Sequence, residues 1–197
     1  MTDDVTTSGA GRPNQREFIL DTALQLIANN GAAKMSMRQL AKQCGLNVAA
    51  IYHYFESKDA LVKAVVDERQ YGARMAEIVE VDASLSAEDR LFAVFMVIWD
   101  GAIAEEEVWR ILLGEGLRGE PSVMVVGRDL IETISPALTE WIGRSIPELP
   151  NSEAIASLLA GQMFTGFIRH IFEPELDTAV IGKEQGNALV TAVFAGR

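Results

Sequence analysis

The sequence predicts an all-α protein: an N-terminal three-helix domain of helix-turn-helix layout, joined to a larger helical domain. Three observations predict it. Apolar residues recur at helical spacing from residue 14 almost to the C-terminus, and no stretch alternates as a half-buried strand would. Ser, Asn, Gly and Pro punctuate these runs at positions that cap or stop helices. Residues 36–58, SMRQLAKQCGLNVAAIYHYFESK, pack two short helical patterns around a single glycine turn.

Residues 1–13 are polar and read as a disordered arm ending at Arg12-Pro13. From 14 to 30, Phe18, Ile19, Ala23, Leu24, Leu26 and Ile27 give a helix with a wide buried face, capped by Asn14 and stopped by Asn29-Asn30-Gly31. Ser36 caps a second helix whose inner face is Leu40 and Ala41, and Cys44-Gly45 turns the chain. Asn47 caps a third helix carrying Ile51, Tyr52 and Phe55, and Ser57 caps a fourth with Leu61, Val62, Val65 and Val66, running on toward Glu80. The first domain is therefore set at 14–60 and the second at 61–197, with the fourth helix connecting them.

In the second domain, residues 85–103 read as a central helix apolar on most sides, and 105–113 as another. The chain is then expected to break at Gly114, Gly116, Gly119 and Pro121. A segment over 122–145 follows, kinked or divided at Pro136. After a loop at 146–150, Ser152 caps a long helix through Phe172, ended by Pro174, and a last helix covers about 183–195.

The chain of 197 residues carries a net charge of −11, which opposes contact with a polyanion. Its distribution is uneven. Residues 1–60 hold six basic and six acidic side chains, so the 11 basic and 22 acidic residues beyond them carry the whole −11. Only the N-terminal part is electrostatically compatible with DNA, and the acidic remainder would limit non-specific binding. One cysteine, Cys44, excludes an intrachain disulfide and fits a reduced, cytoplasmic setting; by the turn it reads as a small packing residue. No apolar stretch near the start suggests a secretory signal, and segments such as 91–99 fall far short of the roughly 20 residues of a membrane span.

A helix that reads DNA needs a close approach at its N-terminus, donors for phosphates and a tight turn before it. Asn47 followed by Val48, Ala49 and Ala50 keeps the side chains there small, and Gly45 permits the positive φ of a tight turn. Tyr52, His53, Tyr54 and Lys58 form a cluster of donors, with Ser36 and Arg38 at the head of the preceding helix. Of these, Tyr54, His53, Lys58 and Arg38 are assigned to phosphates, whereas spacing favours Tyr52 and Phe55 beside Ile51 on the inner face. Val48, Ala49 or Ala50 suit a thymine methyl, and Arg38 or Asn47 suit base edges.

At these residues the segment resembles the DNA-binding domain of the TetR family of bacterial repressors. The likeness rests on Ser36, Leu40-Ala41, Gly45-Leu46, Ile51-Tyr52-His53-Tyr54-Phe55 and Ser57-Lys58-Asp59-Ala60-Leu61, and covers residues 14 to about 62. The family often has a basic residue and then glycine where this chain has Val48 and Ala49, and Thr or Ser at the position of Ala50. The resemblance implies a ligand-responsive regulator, most simply a repressor released from a palindromic operator in double-stranded DNA. It also implies a homodimer built on a four-helix interface from the last two long helices.

Two features of the second domain suit these roles. Ala156, Ala160, Gly161 and Gly166 offer close helix approach for a dimer, together with the segment 122–145. Phe92, Phe95, Met96, Trp99, Trp109, Leu113, Met163, Phe167 and His170, with Leu112, Phe164 and Phe172 beside them in sequence, suit an apolar pocket for a small effector. Taken singly, each of these aromatic and methionine residues is more simply a core residue, and His170 a structural histidine. Glu105-Glu106-Glu107 suits a helix start.

Gly114-Glu115-Gly116-Leu117-Arg118-Gly119 fits G-x-G-x-x-G, but an acid sits inside the supposed phosphate cradle and Pro121 follows at once, so no dinucleotide is expected. No spacing of His, Cys and carboxylates suggests a metal, and no nucleophile–base–acid set suggests an enzyme. No cofactor or membrane contact is expected. The rival reading is an acidic all-α small-molecule binding protein or enzyme without specific DNA binding.

Overall fold

Short-range capping sets the first four helices where the sequence places them. The structure, a computed structural model, describes residues 14–67 and 80–195. The N-terminal arm and the continuation of the fourth helix toward Glu80 lie outside the described residues. Helix α1 spans Gln15–Asn30, with Asn14 accepting from the Arg16 amide, and ends at Gly31, whose φ is 81°. Helix α2 (Met37–Gln43) is capped by Ser36, which accepts from the Gln39 amide at 3.1 Å. Gly45, with φ 66°, makes the turn. Helix α3 (Val48–Tyr54) is capped by Asn47, accepting from the Ala50 amide at 2.8 Å, and the Ser57 hydroxyl accepts from Ala60 at the head of α4 (Lys58–Asp67).

The remaining helices are α5 (Ala87–Ala104), α6 (Glu106–Leu117), α7 (Pro121–Ser145), α8 (Ser152–Phe172) and α9 (Thr178–Phe194). Among the described residues every regular element is a helix. Four expectations need correction. Helix α6 runs straight through Gly114 and Gly116, and the turn falls only at Gly119, φ 72°. Burial of Val108, Ile111, Leu112 and Glu115 along one face outweighs the modest helix cost of two glycines.

Helix α7 is continuous through Pro136, so the proline does not divide it. The proline leaves the Glu132 carbonyl without an intrahelical donor, but both residues are exposed, so that oxygen is open to solvent. The residue before α8 that serves as cap is Asn151, in the left-handed region at φ 60°, and Ser152 is the first helical residue. Helix α9 starts at Thr178, five residues ahead of expectation, because the Asp177 carboxylate accepts from the Ala179 amide at 2.8 Å and Ile181 is buried.

Two apolar cores form among the described residues. The first gathers Ile19, Ala23, Ile27, Leu40, Ile51, Phe55 and Leu61 from α1–α4 and its edge, but also Val108 and Ile111 of α6 and Val123 and Val126 of α7. The second joins Leu91, Phe95 and Trp99 of α5 to Leu138 and Ile142 of α7, Ile155 and Leu159 of α8, and Ile181 and Leu189 of α9. Helix α7 thus contributes its first turns to one core and its later turns to the other.

Candidate nucleic-acid interface and effector region

On α3, Ile51 is fully buried and Phe55, four residues on, is 3% exposed. Successive residues of a helix point about 100° apart, so this inward pair turns its neighbours Tyr52 and His53 outward. Tyr52 is half exposed, contrary to its assignment to the inner face. Tyr54, assigned to phosphate, instead packs against the first core, with the His53 ring edge-on to it at 5.4 Å. The exposed face of the motif holds Ser36, Arg38, Asn47, Ala49, Tyr52 and His53, with Val48 and Ala50 half-buried behind it.

Lys58 is also half-buried. Its ammonium donates to the Ala33 carbonyl at 3.2 Å, tying the head of α4 to the α1–α2 loop. Ser36 and Asn47 already use their side-chain oxygens as caps. Lys42, absent from the residues assigned above, is exposed one helical turn beyond Arg38 on the same face of α2. That i, i+4 spacing was the available signal. Burial raises the pKa of the Cys44 thiol, partly offset by a hydrogen bond with Thr22, so it stays protonated beside the turn.

The residues assigned to an effector are not one cluster. Phe95 and Trp99 are fully buried and nearly parallel, centroids 6.4 Å apart, with Met96 and Met163 packed on the same core. Phe92 lies against Gly186. Trp109 belongs with the first core, at the junction with α1, and Leu113 is half-buried on the same helix. Phe167 is buried and tilts over His170, whereas Phe164 and Phe172 are exposed.

Close approach within the subunit accounts for Gly166, offered above as a dimer residue: a β-carbon there would stand 2.6 Å from the Trp99 ring. Ala156 is buried as well. Ala160 and Gly161 are exposed, alongside Leu158 and Phe164.

A cleft of about 430 Å³ opens elsewhere, between α1 and the α5–α6 junction, lined by Asp21, Leu24, Gln25, Ile103 and Ala104 and by Glu105–Val108. Its wall is polar. The Gln25 amide donates to both Glu107 oxygens, at 3.0 and 2.9 Å. His170 Nε2 is 3.0 Å from Glu106 Oε2. Burial of Glu106 works to raise its pKa, but hydrogen bonds from His170 and Arg110, with their charge, outweigh it and hold the carboxyl below its ordinary value.

Residues 19–65 match the family described as bacterial regulatory proteins, tetR family. The HTH-type transcriptional regulator UidR of Escherichia coli K12 is 34% identical over 67 residues, 33% of this chain; aligned with it, the chain spans about a third (34%) of that relative's length. In fold the chain is similar to Salmonella enterica GusR, with a TM-score of 0.70 at 21% identity over 95% of this chain and all of that one. It is similar also to a transcriptional regulator FadR from Bacillus subtilis solved in complex with stearoyl-CoA, with a TM-score of 0.64 at 20% identity, covering 89% of this chain and 97% of that one. Among the described residues no helix is long and apolar enough to cross a membrane. Residues 19–65 thus match the tetR family of bacterial regulatory proteins, and along nearly all of its length the chain shares the fold of solved transcriptional regulators.

Proposed function

We propose that this chain is a ligand-responsive DNA-binding transcriptional regulator, acting in the cytoplasm as a homodimer and released from a palindromic operator by a small apolar molecule. The observation that carries the reading is the outward face of α2 and α3, where Arg38, Asn47, Tyr52 and His53 stand exposed on a rigid, fully capped turn. Arg38 and Tyr52 reach phosphates, and Ala49 with the edge of Val48 meets base edges. Residues 14–60 act as the reading head, preceded by the arm at 1–13, and residues 61–197 bind the effector and the second subunit.

For dimerisation, the exposed faces of α8 and α9 support the reading: Leu158, Ala160, Gly161 and Phe164 on one helix, and Val180, Ala188 and Ala192 on the other. For the effector, the support is the aromatic and methionine-rich second core, together with a fold neighbour that holds a fatty acyl-CoA. The region between Phe92, Trp99 and Met163 is filled by side chains, so an effector enters by displacing them. Gel-shift with the promoter regions beside the chain's own gene tests the proposal. Specific retardation, weakened by an apolar molecule from a broad library, is expected. The absence of retardation with any duplex would favour the acidic small-molecule binding protein instead.

A further inference from the structure

Glu115 stands out among the charged side chains: it is 4% exposed, in the last turn of α6. Burying a carboxylate is costly unless donors meet it. Here the Ala32 backbone amide donates to Oε1 at 3.2 Å, and Arg118, largely exposed, approaches the same oxygen at 3.1 Å. Ala32 follows the end of α1, where the Gly31 amide is already bonded to Ile27. The φ of 81° at Gly31 favours glycine, and a β-carbon there would press on the carboxylate at 3.0 Å.

The loop so held is the one that leads into α2. Its next residue, Ala33, accepts the Lys58 ammonium from the head of α4. Two residues on, Met35 is buried, and Ser36 then caps α2. The second tether, Gln25 to Glu107, sits eight residues earlier on α6 and seven earlier on the chain of α1, about 11–12 Å in each case. Helices α1 and α6 therefore run side by side, fastened at two points, and α6 also meets α8 through Glu106 and His170. A slide of α6 along its axis beyond what the buried Glu115 side chain can follow breaks the Ala32 bond, because the hydrogen bond itself tolerates only a few tenths of an ångström.

We infer that Glu115 is the positioning residue through which the helical domain sets the placement of α2, and with it Arg38, by clasping the Ala32 amide of the α1–α2 loop. The inference rests on the regulator reading above. A leucine in place of Glu115 would fill the same volume with no desolvation cost, so the carboxylate serves register rather than burial.

Coupling between sites is reciprocal, so DNA bound at the head must alter α6 as surely as α6 alters the head. The test is amide hydrogen exchange of the full-length chain with and without a promoter duplex that it binds. In the parent protein, the duplex is expected to slow exchange in residues 106–117 by about threefold or more. Glu115→Leu should still bind duplex but lose that response, while the Ala32 amide exchanges about tenfold faster. Glu115→Gln, which keeps an accepting oxygen, and Arg118→Ala should respond as the parent does. If Glu115→Leu does not fold, Glu115→Asp, whose oxygens are drawn back by one carbon–carbon bond, carries the same expectation. A Glu115→Leu or Glu115→Asp protein that transmits as the parent does overturns the inference, and so does a parent that binds duplex with no change in α6. A parent that binds no duplex overturns the regulator reading and the inference with it.

Discussion

Replacing Gly182 with alanine sets two effects against each other. In the interior of α9, alanine is the better helix former by about 0.5–1 kcal/mol. Its methyl, however, would stand 2.5 Å from Trp99 Cδ1 and Nε1, about 1 Å inside ordinary carbon contact. Trp99 has no room to retreat. It is 1% exposed, its indole N–H donates to the Thr178 carbonyl at 3.0 Å, Phe95 lies parallel to it and Gly166 faces the far edge of its ring. Overpacking a closed core costs about 1–3 kcal/mol, and a 2.5 Å clash with a confined ring falls in the upper half of that range, which leaves a net destabilisation of about 1–2 kcal/mol after the helix gain. For a chain of this size that lowers Tm by about 2–8 °C. Urea and thermal melts followed by tryptophan fluorescence measure it, at matched protein concentration because a dimer's stability depends on it. Combining Gly182→Ala with Trp99→Phe should recover about 1 kcal/mol relative to additivity. A Gly182→Ala protein as stable as its parent, or a cycle without coupling, would refute this account of α5, α8 and α9.

Three further outcomes are expected. Arg38→Ala should weaken duplex binding by about 1 kcal/mol across sequences and reduce the salt slope by about 1, read by fluorescence anisotropy at several salt concentrations; an unchanged slope would remove Arg38 from the phosphates. Phe164→Glu combined with Leu158→Glu should give a folded monomer by sedimentation velocity, since both side chains are about half exposed on α8 (55% and 47%). A dimer of unchanged affinity would place the interface elsewhere. Glu106 is held below its ordinary 4.5, so the native state favours its ionised form; that stabilisation is complete above 4.5 and disappears as pH falls through the lower native value. Urea midpoints of the parent and Glu106→Gln should therefore converge as the pH is lowered from about 6 to about 3; a constant gap would show that the His170 and Arg110 contacts do not act on the carboxylate.

What the sequence made legible was local. Asn14, Ser36, Asn47 and Ser57 cap their helices through bonds spanning two or three residues, so the first four helices begin where the chain alone places them. The reading face needed more. In a seven-residue helix, one residue of phase decides whether Tyr52 or Tyr54 faces inward, and the packing of Ile51 and Phe55 against α1 decided it. Gly114 and Gly116 looked like punctuation because their helical state depends on a face buried against another part of the molecule. Gly166 looked like a subunit contact because its partner, Trp99, belongs to a different helix. Glu115 is the extreme case: its partner is a backbone amide 83 residues away, and no side-chain pattern announces it.

Helix α7 carries a consequence for anyone rebuilding this protein. Val123 and Val126 close the core under the reading head, and Leu138 and Ile142 close the other. A head excised at residue 60 would lose those side chains together with Val108 and Ile111, and would present a raw apolar surface to water. Grafting this head onto a different sensor, or a different head onto this sensor, is therefore not a matter of choosing a cut point in the sequence. The transplant must carry the α6 and α7 surface that seats it, and chimeras matched at that seam should be soluble where those joined by sequence position alone aggregate.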